Sequence, residues 1–179
     1  MIKLINKKYR IIYYIDLKVM YFSIPKNATR TTLELFKNYR KKVIKDFGYI
    51  PNNWFKFVIL RNPIDRLISV YQHRIIEKPC LIRERFGGGS FNQFVLWVAR
   101  QNLAKADAHI RFQYLMFPED DMDMIVTLEN YDLLMKFFGF KDVLWLNKSK
   151  RLNVSAGVKD LIKEIYIKDY HLWRKYNEK

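Results

Sequence analysis

Residues 25–32 bring a lysine, an arginine and three threonines together in one short segment. An apolar run, Val19–Ile24, precedes them and an amphipathic stretch follows, so the pattern predicts a buried strand, a loop and a helix. The first amides of a helix lack partners within the helix and carry the positive end of its dipole. With the charges of Lys26 and Arg30, the segment predicts an anion cradle. Its candidate binding residues are Pro25, Lys26, Asn27, Ala28, Thr29, Arg30, Thr31 and Thr32.

This segment differs from the loop that binds nucleoside triphosphates. That loop follows the pattern G-x-x-x-x-G-K-[ST], with its lysine late, whereas here Lys26 comes early and the segment has no glycine. ATP or GTP hydrolysis is therefore disfavoured. Taken alone, the segment is also compatible with an ordinary strand–helix connection in which the threonines cap the helix and Lys26 is solvated.

A second polar group follows the next apolar run, Phe57–Leu60. Arg61 stands at the predicted strand end, Pro63 suits the first position of a helix, and Ser69 lies eight residues after Arg61. A guanidinium and a hydroxyl together suit a phosphate group. If Ser69 stood alone, the default interpretation would be a small residue at a packing contact. For the neighbouring Asp65 and Arg66, the sequence favours an ion pair on the helix surface.

Strand and helix patterns alternate along the chain. We therefore predict a single α/β domain over residues 1–179, a three-layer sandwich with a mainly parallel central sheet. In such sheets, ligands bind at the carboxyl ends of the strands, where both polar groups lie. The predicted strands are Ile11–Ile15, Val19–Ile24, Trp54–Leu60 and Met124–Leu128. The predicted helices are Arg30–Phe47, one from Pro63 to about Ile75, one capped by Ser90, Tyr131–Phe138 and Asp160–Tyr176.

The composition limits the class of protein. Half of the residues are hydrophobic, which excludes a disordered chain, and the net charge of +15 attracts polyanions, anionic membranes or small anionic ligands. Cys80 is the single cysteine, so no internal disulfide can form. No apolar run approaches the length of a membrane span, and the first residues do not resemble a signal peptide. We therefore expect a cytoplasmic protein without a transmembrane segment.

Together, the two polar groups resemble the PAPS-dependent sulfotransferases, and most closely the carbohydrate branch with the chondroitin and heparan sulfate 2-O-sulfotransferases. Residues 24–31 resemble the pattern P-K-x-A-x-x-T, and residues 57–71 resemble R-[DN]-P-x-x-R-L-x-S-x-Y. Three weaker similarities extend over most of the chain. Residues 107–113 resemble D-x-H-W-x-P-Q, residues 146–151 resemble a segment with L-N-x-S, and the last helix resembles Y-x-x-D-[FY].

The resemblance implies a P-loop-like nucleotide-binding fold and the donor 3′-phosphoadenosine 5′-phosphosulfate (PAPS). It implies that the Lys26 loop contacts the 5′-phosphosulfate and that Arg61 and Ser69 contact the 3′-phosphate. It also implies that a loop containing Lys150 and Arg151 closes over the nucleotide. The acceptor expected from this branch is a carbohydrate hydroxyl, although a lipid, a small metabolite or a protein tyrosine stays open.

Sulfuryl transfer needs a group that stabilises the leaving oxygen and a group that takes the acceptor's proton. We assign Lys26 to the leaving oxygen, and His109, through the resemblance, to the proton. A structural role for His109 is equally compatible, since Ile110 and Phe112 replace the usual tryptophan and proline of that segment. His73, Glu84 and Asp107 are alternative bases. The histidines and Cys80 lack metal-ligand spacing, so we expect no metal.

Three other functions remain open at this stage. The charge and aromatic content are compatible with a nucleic-acid-binding module, although the aromatic residues follow core periodicity and we expect no nucleic-acid partner. A nucleotide-dependent kinase would need Mg²⁺. A family member could also bind the nucleotide without turnover.

Overall fold

The structure is a computed structural model that describes residues 3–4, 10–44, 49–51, 53–77, 81–142 and 152–178. Its β-strands, in chain order, are β1 Lys3–Leu4, β2 Ile11–Tyr14, β3 Val19–Phe22, β4 Lys41–Ile44, β5 Tyr49–Ile50, β6 Phe55–Leu60 and β7 Met124–Thr127. Its α-helices are α1 Thr29–Leu35, α2 Pro63–Val70, α3 Leu81–Phe86, α4 Phe91–Ala99, α5 Tyr131–Phe137, α6 Ala156–Ile165 and α7 Ile167–Asn177. A π-helix, Tyr71–Glu77, continues α2 directly.

The central sheet has five strands in the order β4-β2-β3-β6-β7. The pairings of β3 with β6 and of β6 with β7 are parallel, whereas β2 pairs antiparallel with both β3 and β4. The sheet is therefore mixed, and the expectation of a mainly parallel sheet is only partly fitting. The reason is the short connection Ile15–Lys18, with Lys18 in the left-handed region, because so few residues can join only antiparallel neighbours. β1 and β5 form a separate antiparallel pair.

Both faces of the sheet are covered, which gives the layered α/β arrangement expected from the sequence. Every residue of β2 and β3 is buried. Alternate side chains of these strands pack on opposite faces, as the two-residue period of a strand requires. On one face the core includes Leu172 of α7, and on the other it includes Phe36 and Tyr131. A third cluster packs α2 and the π-helix against α4 and α6.

The predicted helix Arg30–Phe47 is wrong over residues 36–44, which follow the end of α1 at Leu35. Phe36 is fully buried and stacks on Tyr14 with ring centroids 4.5 Å apart, and residues 41–44 form β4 beside β2. The exposed carboxylate of Asp16 accepts a hydrogen bond from the main-chain N–H of Arg40 at 2.8 Å and pairs with its guanidinium. These contacts between residues distant in sequence outweigh the helical spacing of the apolar side chains. Residues 45–48 lie outside the described part of the chain.

The other predicted elements are largely confirmed. Ser90 caps α4 in a capping box with Gln93, and the Asn62 side chain caps α2 ahead of Pro63. The single helix predicted at Asp160–Tyr176 is instead two helices that meet at Tyr166, whose hydroxyl donates to the carbonyl of Ile110 at 2.6 Å. Among the described residues, no helix is both long enough and apolar enough to cross a bilayer.

Candidate active site

The loop between β3 and α1 contains two non-glycine residues with left-handed backbone. Lys26 has φ 74° and Ala28 has φ 56°. For residues with a Cβ this region costs roughly 1–2 kcal/mol each, and such strain concentrates at ligand-binding sites. The loop therefore holds its lysine in a conformation that the surrounding contacts must enforce.

Asn27 fastens this loop to the core. Its side chain is fully buried, and Nδ2 donates to the main-chain carbonyl of Ile59 at 2.8 Å and to Oε1 of Gln113 at 2.6 Å. The hydroxyl of Tyr21 donates to the Asn27 carbonyl at 3.3 Å. Asn27 thus connects the Lys26 loop to β6 and to the segment around Gln113.

The hydroxyls of Thr29 and Thr32 make internal hydrogen bonds. Thr29 Oγ1 donates to the carbonyl of Ile24 at 3.2 Å and lies 3.1 Å from the hydroxyl of Ser23. Thr32 Oγ1 donates to the carbonyl of Ala28 at 3.1 Å and lies 3.1 Å from the hydroxyl of Tyr131. Thr31 is buried and Arg30 is exposed. The donor contacts assigned to these residues stay predictions, and the structure adds a loop-stabilising role for Thr29 and Thr32.

Arg61 joins the two polar groups directly. Its Nη1 donates to the main-chain carbonyl of Lys26 at 2.8 Å. Gln113 binds both main-chain groups of Arg61, because its Oε1 accepts from the Arg61 N–H at 3.2 Å and its Nε2 donates to the Arg61 carbonyl at 2.9 Å. The structure therefore places the end of β6 against the Lys26 loop, as expected for the carboxyl ends of neighbouring parallel strands.

Gln113 and Asp169 are positioning residues to which the sequence analysis gave no role. Asp169 on α7 is buried, and its two oxygens accept from the main-chain N–H groups of Gln113 at 2.8 Å and Tyr114 at 2.9 Å. Burial is the main reason that the pKa of Asp169 rises to about 6. The available signals were weak, since each residue stands only in a short segment with a partial family resemblance.

Arg66 is buried, so the expected ion pair with Asp65 on the helix surface is wrong. Its side chain donates to three main-chain carbonyls, from Nε to Pro25 at 3.3 Å, from Nη1 to Arg111 at 2.9 Å and from Nη2 to Ala108 at 3.0 Å. The physical reason is that α2 is buried along most of its length, whereas Asp65 is exposed. Arg66 thereby ties the start of the Lys26 loop to residues 108–111.

Several cations act on one another around Lys26. Burial lowers the pKa of Lys26 to about 8, with the positive charges of Arg61, Arg74 and Arg30 contributing in the same direction. Burial and the charges of Lys26, Arg74 and Arg30 lower the pKa of His73 to about 4. The carboxylate of Glu77 opposes both shifts. The local field therefore favours a ligand with several negative charges.

The predicted base His109 has both ring nitrogens in hydrogen bonds. Nδ1 lies 2.7 Å from Oδ1 of Asp107, and Nε2 lies 2.7 Å from Nη2 and 3.2 Å from Nε of Arg74. A guanidinium can only donate, so Nε2 accepts and the ring proton is on Nδ1. The hydrogen bond from His109 holds the pKa of Asp107 near 2. Whether His109 takes the acceptor's proton stays a prediction.

The remaining candidates occupy different places. His73 lies on the π-helix, and its buried Nδ1 has no hydrogen-bond partner among the described residues. Ser69 is buried on α2, and its predicted contact with the 3′-phosphate stays a prediction. Glu84 is exposed on α3. Lys150 and Arg151 lie outside the described residues. A search of the described residues finds no group of three potential metal ligands among histidine, cysteine, aspartate and glutamate.

Comparison with protein-family models identifies the class. The model of the Sulfotransferase family matches residues 5–144, which include the Lys26 loop, Arg61, Ser69 and His109. This is more than half of the chain, so the chain belongs to the sulfotransferase family. Its α/β fold with a mixed five-stranded sheet is compatible with that assignment, and the class of reaction is sulfuryl transfer. Comparisons with curated proteins and with solved structures give no match.

Proposed function

We propose that the protein transfers a sulfuryl group from PAPS to a hydroxyl group of a carbohydrate. The observation that supports this best is the contact between Arg61 and the Lys26 loop, near which Arg30 and Arg74 add further positive charge. The family assignment supports sulfuryl transfer. The choice of donor rests on this charge arrangement and on what the family generally uses.

The residues present fit a polyanionic nucleotide donor. Lys26, Arg30, Arg61 and Arg74 are close enough for the positive charges of the three arginines to lower the pKa of Lys26. Bringing these cations together costs free energy in the protein alone, and a ligand with several negative charges offsets that cost. When bound, PAPS supplies the sulfuryl group on a phosphate leaving group and a second anionic group at its 3′ position.

In this proposal the two ends of the donor are held by different residues. Lys26 binds at the phosphosulfate end and stabilises the negative charge that develops on the leaving oxygen. Arg61 and Ser69 bind the 3′-phosphate, with the guanidinium donating two hydrogen bonds and the hydroxyl a third. Lys150 and Arg151 complete the donor site. With a pKa of about 8, the Lys26 ammonium is mostly protonated at pH 7, as its role requires.

The carbohydrate acceptor is inferred from the sequence resemblance to the carbohydrate branch. A sugar hydroxyl is a poor nucleophile until its proton is removed, so a nearby base is part of the proposal. His109 and His73 both belong to the neighbourhood of the cation cluster, through Arg74 and through Lys26 respectively. The proposed location is the cytoplasm.

Binding of adenosine 3′,5′-bisphosphate (PAP), measured by calorimetry and by thermal shift, tests the donor site. We expect wild type to be stabilised by PAP, and Lys26→Ala and Arg61→Ala each to weaken binding about tenfold or more. Lys136→Ala is the matched control, because Lys136 is exposed on α5. Equal PAP binding by all four proteins would contradict the proposed site.

Transfer of labelled sulfate from PAPS to a panel of carbohydrate, phenol and lipid hydroxyls tests the reaction. We expect transfer to a carbohydrate in the presence of a metal chelator, since the proposal assigns no step to a metal. A strict requirement for Mg²⁺ with a nucleoside triphosphate as donor would favour the kinase. PAP binding without transfer to any acceptor would favour a non-catalytic family member.

A further inference from the structure

The π-helix Tyr71–Glu77 begins where α2 ends and carries His73, Arg74 and Glu77. π-Helical turns are rare and often occur at functional sites. All three of these side chains act electrostatically on Lys26 or on one another. This part of the chain therefore lies close enough to the Lys26 loop to affect it electrostatically. The two main segments that resemble the family, residues 24–31 and 57–71, do not include these three residues.

Arg74 is held by a chain of hydrogen bonds. Two of its nitrogens reach Nε2 of His109, the opposite ring nitrogen reaches Asp107 at 2.7 Å, and Asp107 also accepts from the main-chain N–H of His109 at 2.8 Å. An arginine side chain loses considerable rotamer entropy when it is ordered. A guanidinium already ordered by His109 loses less on binding an anion, so this chain preorganises it.

Arg66 connects the segment that contains His109 to the Lys26 loop. Arg66 donates to the carbonyl of Ala108, next to His109, and to the carbonyl of Pro25, next to Lys26. The segment that orients Arg74 is thus joined to the loop that carries Lys26 through one buried side chain. In agreement with this geometry, the charge of Arg74 lowers the pKa of Lys26.

We propose that Arg74 is a further anion-binding residue, that it contacts the sulfuryl group, and that His109 and Asp107 are its positioning residues. The inference rests on the proposed function, since it concerns the same donor site. Arg74 is linked to the Lys26 end of that site, where the phosphosulfate binds, and a planar guanidinium can donate two hydrogen bonds to sulfuryl oxygens. In this arrangement His109 serves as an acceptor for Arg74, and its Nε2 is occupied.

The first test compares two ligands that differ in the sulfuryl group. We expect Arg74→Met to weaken PAPS binding about tenfold or more and to change PAP binding by less than about threefold. Arg100→Met is the control for loss of an arginine, because Arg100 is exposed at the end of α4.

The outcomes of this test separate the two proposals. Wild type that binds neither ligand would refute the proposed function. Wild type that binds both, with Arg74→Met indistinguishable from it or equally weakened for both ligands, would refute the role of Arg74 alone. PAP binding also reports that each variant is folded.

The second test uses two amides that replace different nitrogens of His109. The Oε1 of His109→Gln can take the place of Nε2 and accept from Arg74, whereas His109→Asn reaches only the position of Nδ1 and keeps the contact with Asp107. Neither amide can take a proton near neutral pH. We expect His109→Gln to keep PAPS affinity within about fivefold of wild type, and His109→Asn to lose PAPS affinity as Arg74→Met does. Loss of transfer in both variants with unchanged PAPS affinity would identify His109 as the base and overturn the proposal.

Discussion

The Nη1 atom of Arg61 donates a hydrogen bond to the main-chain carbonyl of Lys26 at 2.8 Å. This bond joins two segments that are 35 residues apart and that were each predicted to bind a different end of the same nucleotide. The two segments of the proposed donor site are therefore connected directly by a hydrogen bond within the protein. Substitutions in either segment are therefore expected to affect the other.

The lowered pKa of Lys26 predicts that the protein will use PAPS less efficiently at alkaline pH. Because the pKa lies near 8 and not at its ordinary value of 10.5, the ammonium loses its proton as the pH rises through about 8. We expect kcat/KM for PAPS, which reports the free enzyme, to fall above this pH. In Lys26→Arg the fall should move to higher pH, because a guanidinium stays charged. A pH profile with the same alkaline limb in both proteins would assign the limb to another group.

The same shift has a consequence for stability. The pKa of Lys26 is lower in the folded chain than in the unfolded chain, so the unfolded chain binds more protons between about pH 8 and 10.5. The contribution of Lys26 to the free energy of unfolding therefore rises with pH over this interval. Urea unfolding of wild type and Lys26→Met at both ends of the interval measures it, and the slope should be smaller in the variant.

Removing the Gln113 side chain should separate the two segments. Gln113→Ala takes one acceptor from Asn27 and the partners of both main-chain groups of Arg61. Each buried polar group left without a partner costs about 1–3 kcal/mol, so we expect the free energy of unfolding to fall by at least about 2 kcal/mol and PAP affinity to fall with it. Urea unfolding measures the first change and calorimetry the second.

Gln101→Ala is the matched control for Gln113. The Gln101 amide donates to the carbonyl of Trp97 at 3.1 Å, one turn earlier along the chain, and the residue is only partly buried. Its truncation should change stability by less than about 0.5 kcal/mol. Similar losses of stability in the two variants would show that the hydrogen bonds of Gln113 contribute no more than those of an ordinary, partly buried glutamine.

Substitutions at the adjacent residues Arg66 and Asp65 should change the free energy of unfolding by very different amounts. Arg66→Met removes three hydrogen bonds to main-chain carbonyls and should cost about 3 kcal/mol or more, whereas Asp65→Asn alters an exposed side chain and should cost less than about 0.5 kcal/mol. Chemical denaturation of both variants measures the difference. Equal small losses would support the surface ion pair that the sequence had indicated.

The pKa of His73 should change when an anion binds at the proposed site. Its pKa lies near 4 because burial and the charges of Lys26, Arg74 and Arg30 disfavour the imidazolium. A bound polyanion offsets those charges, so we expect the pKa to rise by about one unit or more when PAP is bound. Titration of the ring C–H signals by NMR, with His73→Gln to identify the signal, measures the shift. An unchanged titration curve with PAP bound would place the anion elsewhere.

Local patterns were sufficient to predict many of the elements. The apolar runs of β2, β3, β6 and β7, the serine that caps α4 and the proline that begins α2 are signals contained within a few residues. The strand ends also showed where polar side chains would gather. The position of the Lys26 loop could be predicted, and the family could be recognised, because both depend on short stretches of sequence.

The parts that sequence could not predict depend on contacts between distant residues. Residues 41–44 continue the helical spacing of α1, yet they pair with β2, because hydrogen bonding to a neighbouring strand outweighs a local amphipathic pattern. The burial of Arg66 likewise follows from carbonyls more than forty residues away along the chain. No local pattern indicates that a charged side chain will find such partners.

The carboxylate of Asp169 holds the main-chain N–H groups of Gln113 and Tyr114, and Gln113 in turn holds the Lys26 loop and Arg61. Asp169 is added 56 residues after Gln113 during synthesis. During synthesis the chain therefore contains Lys26, Arg61 and Gln113 before it contains the carboxylate that positions Gln113. We therefore expect this network of hydrogen bonds to be completed only after α7 has been synthesised.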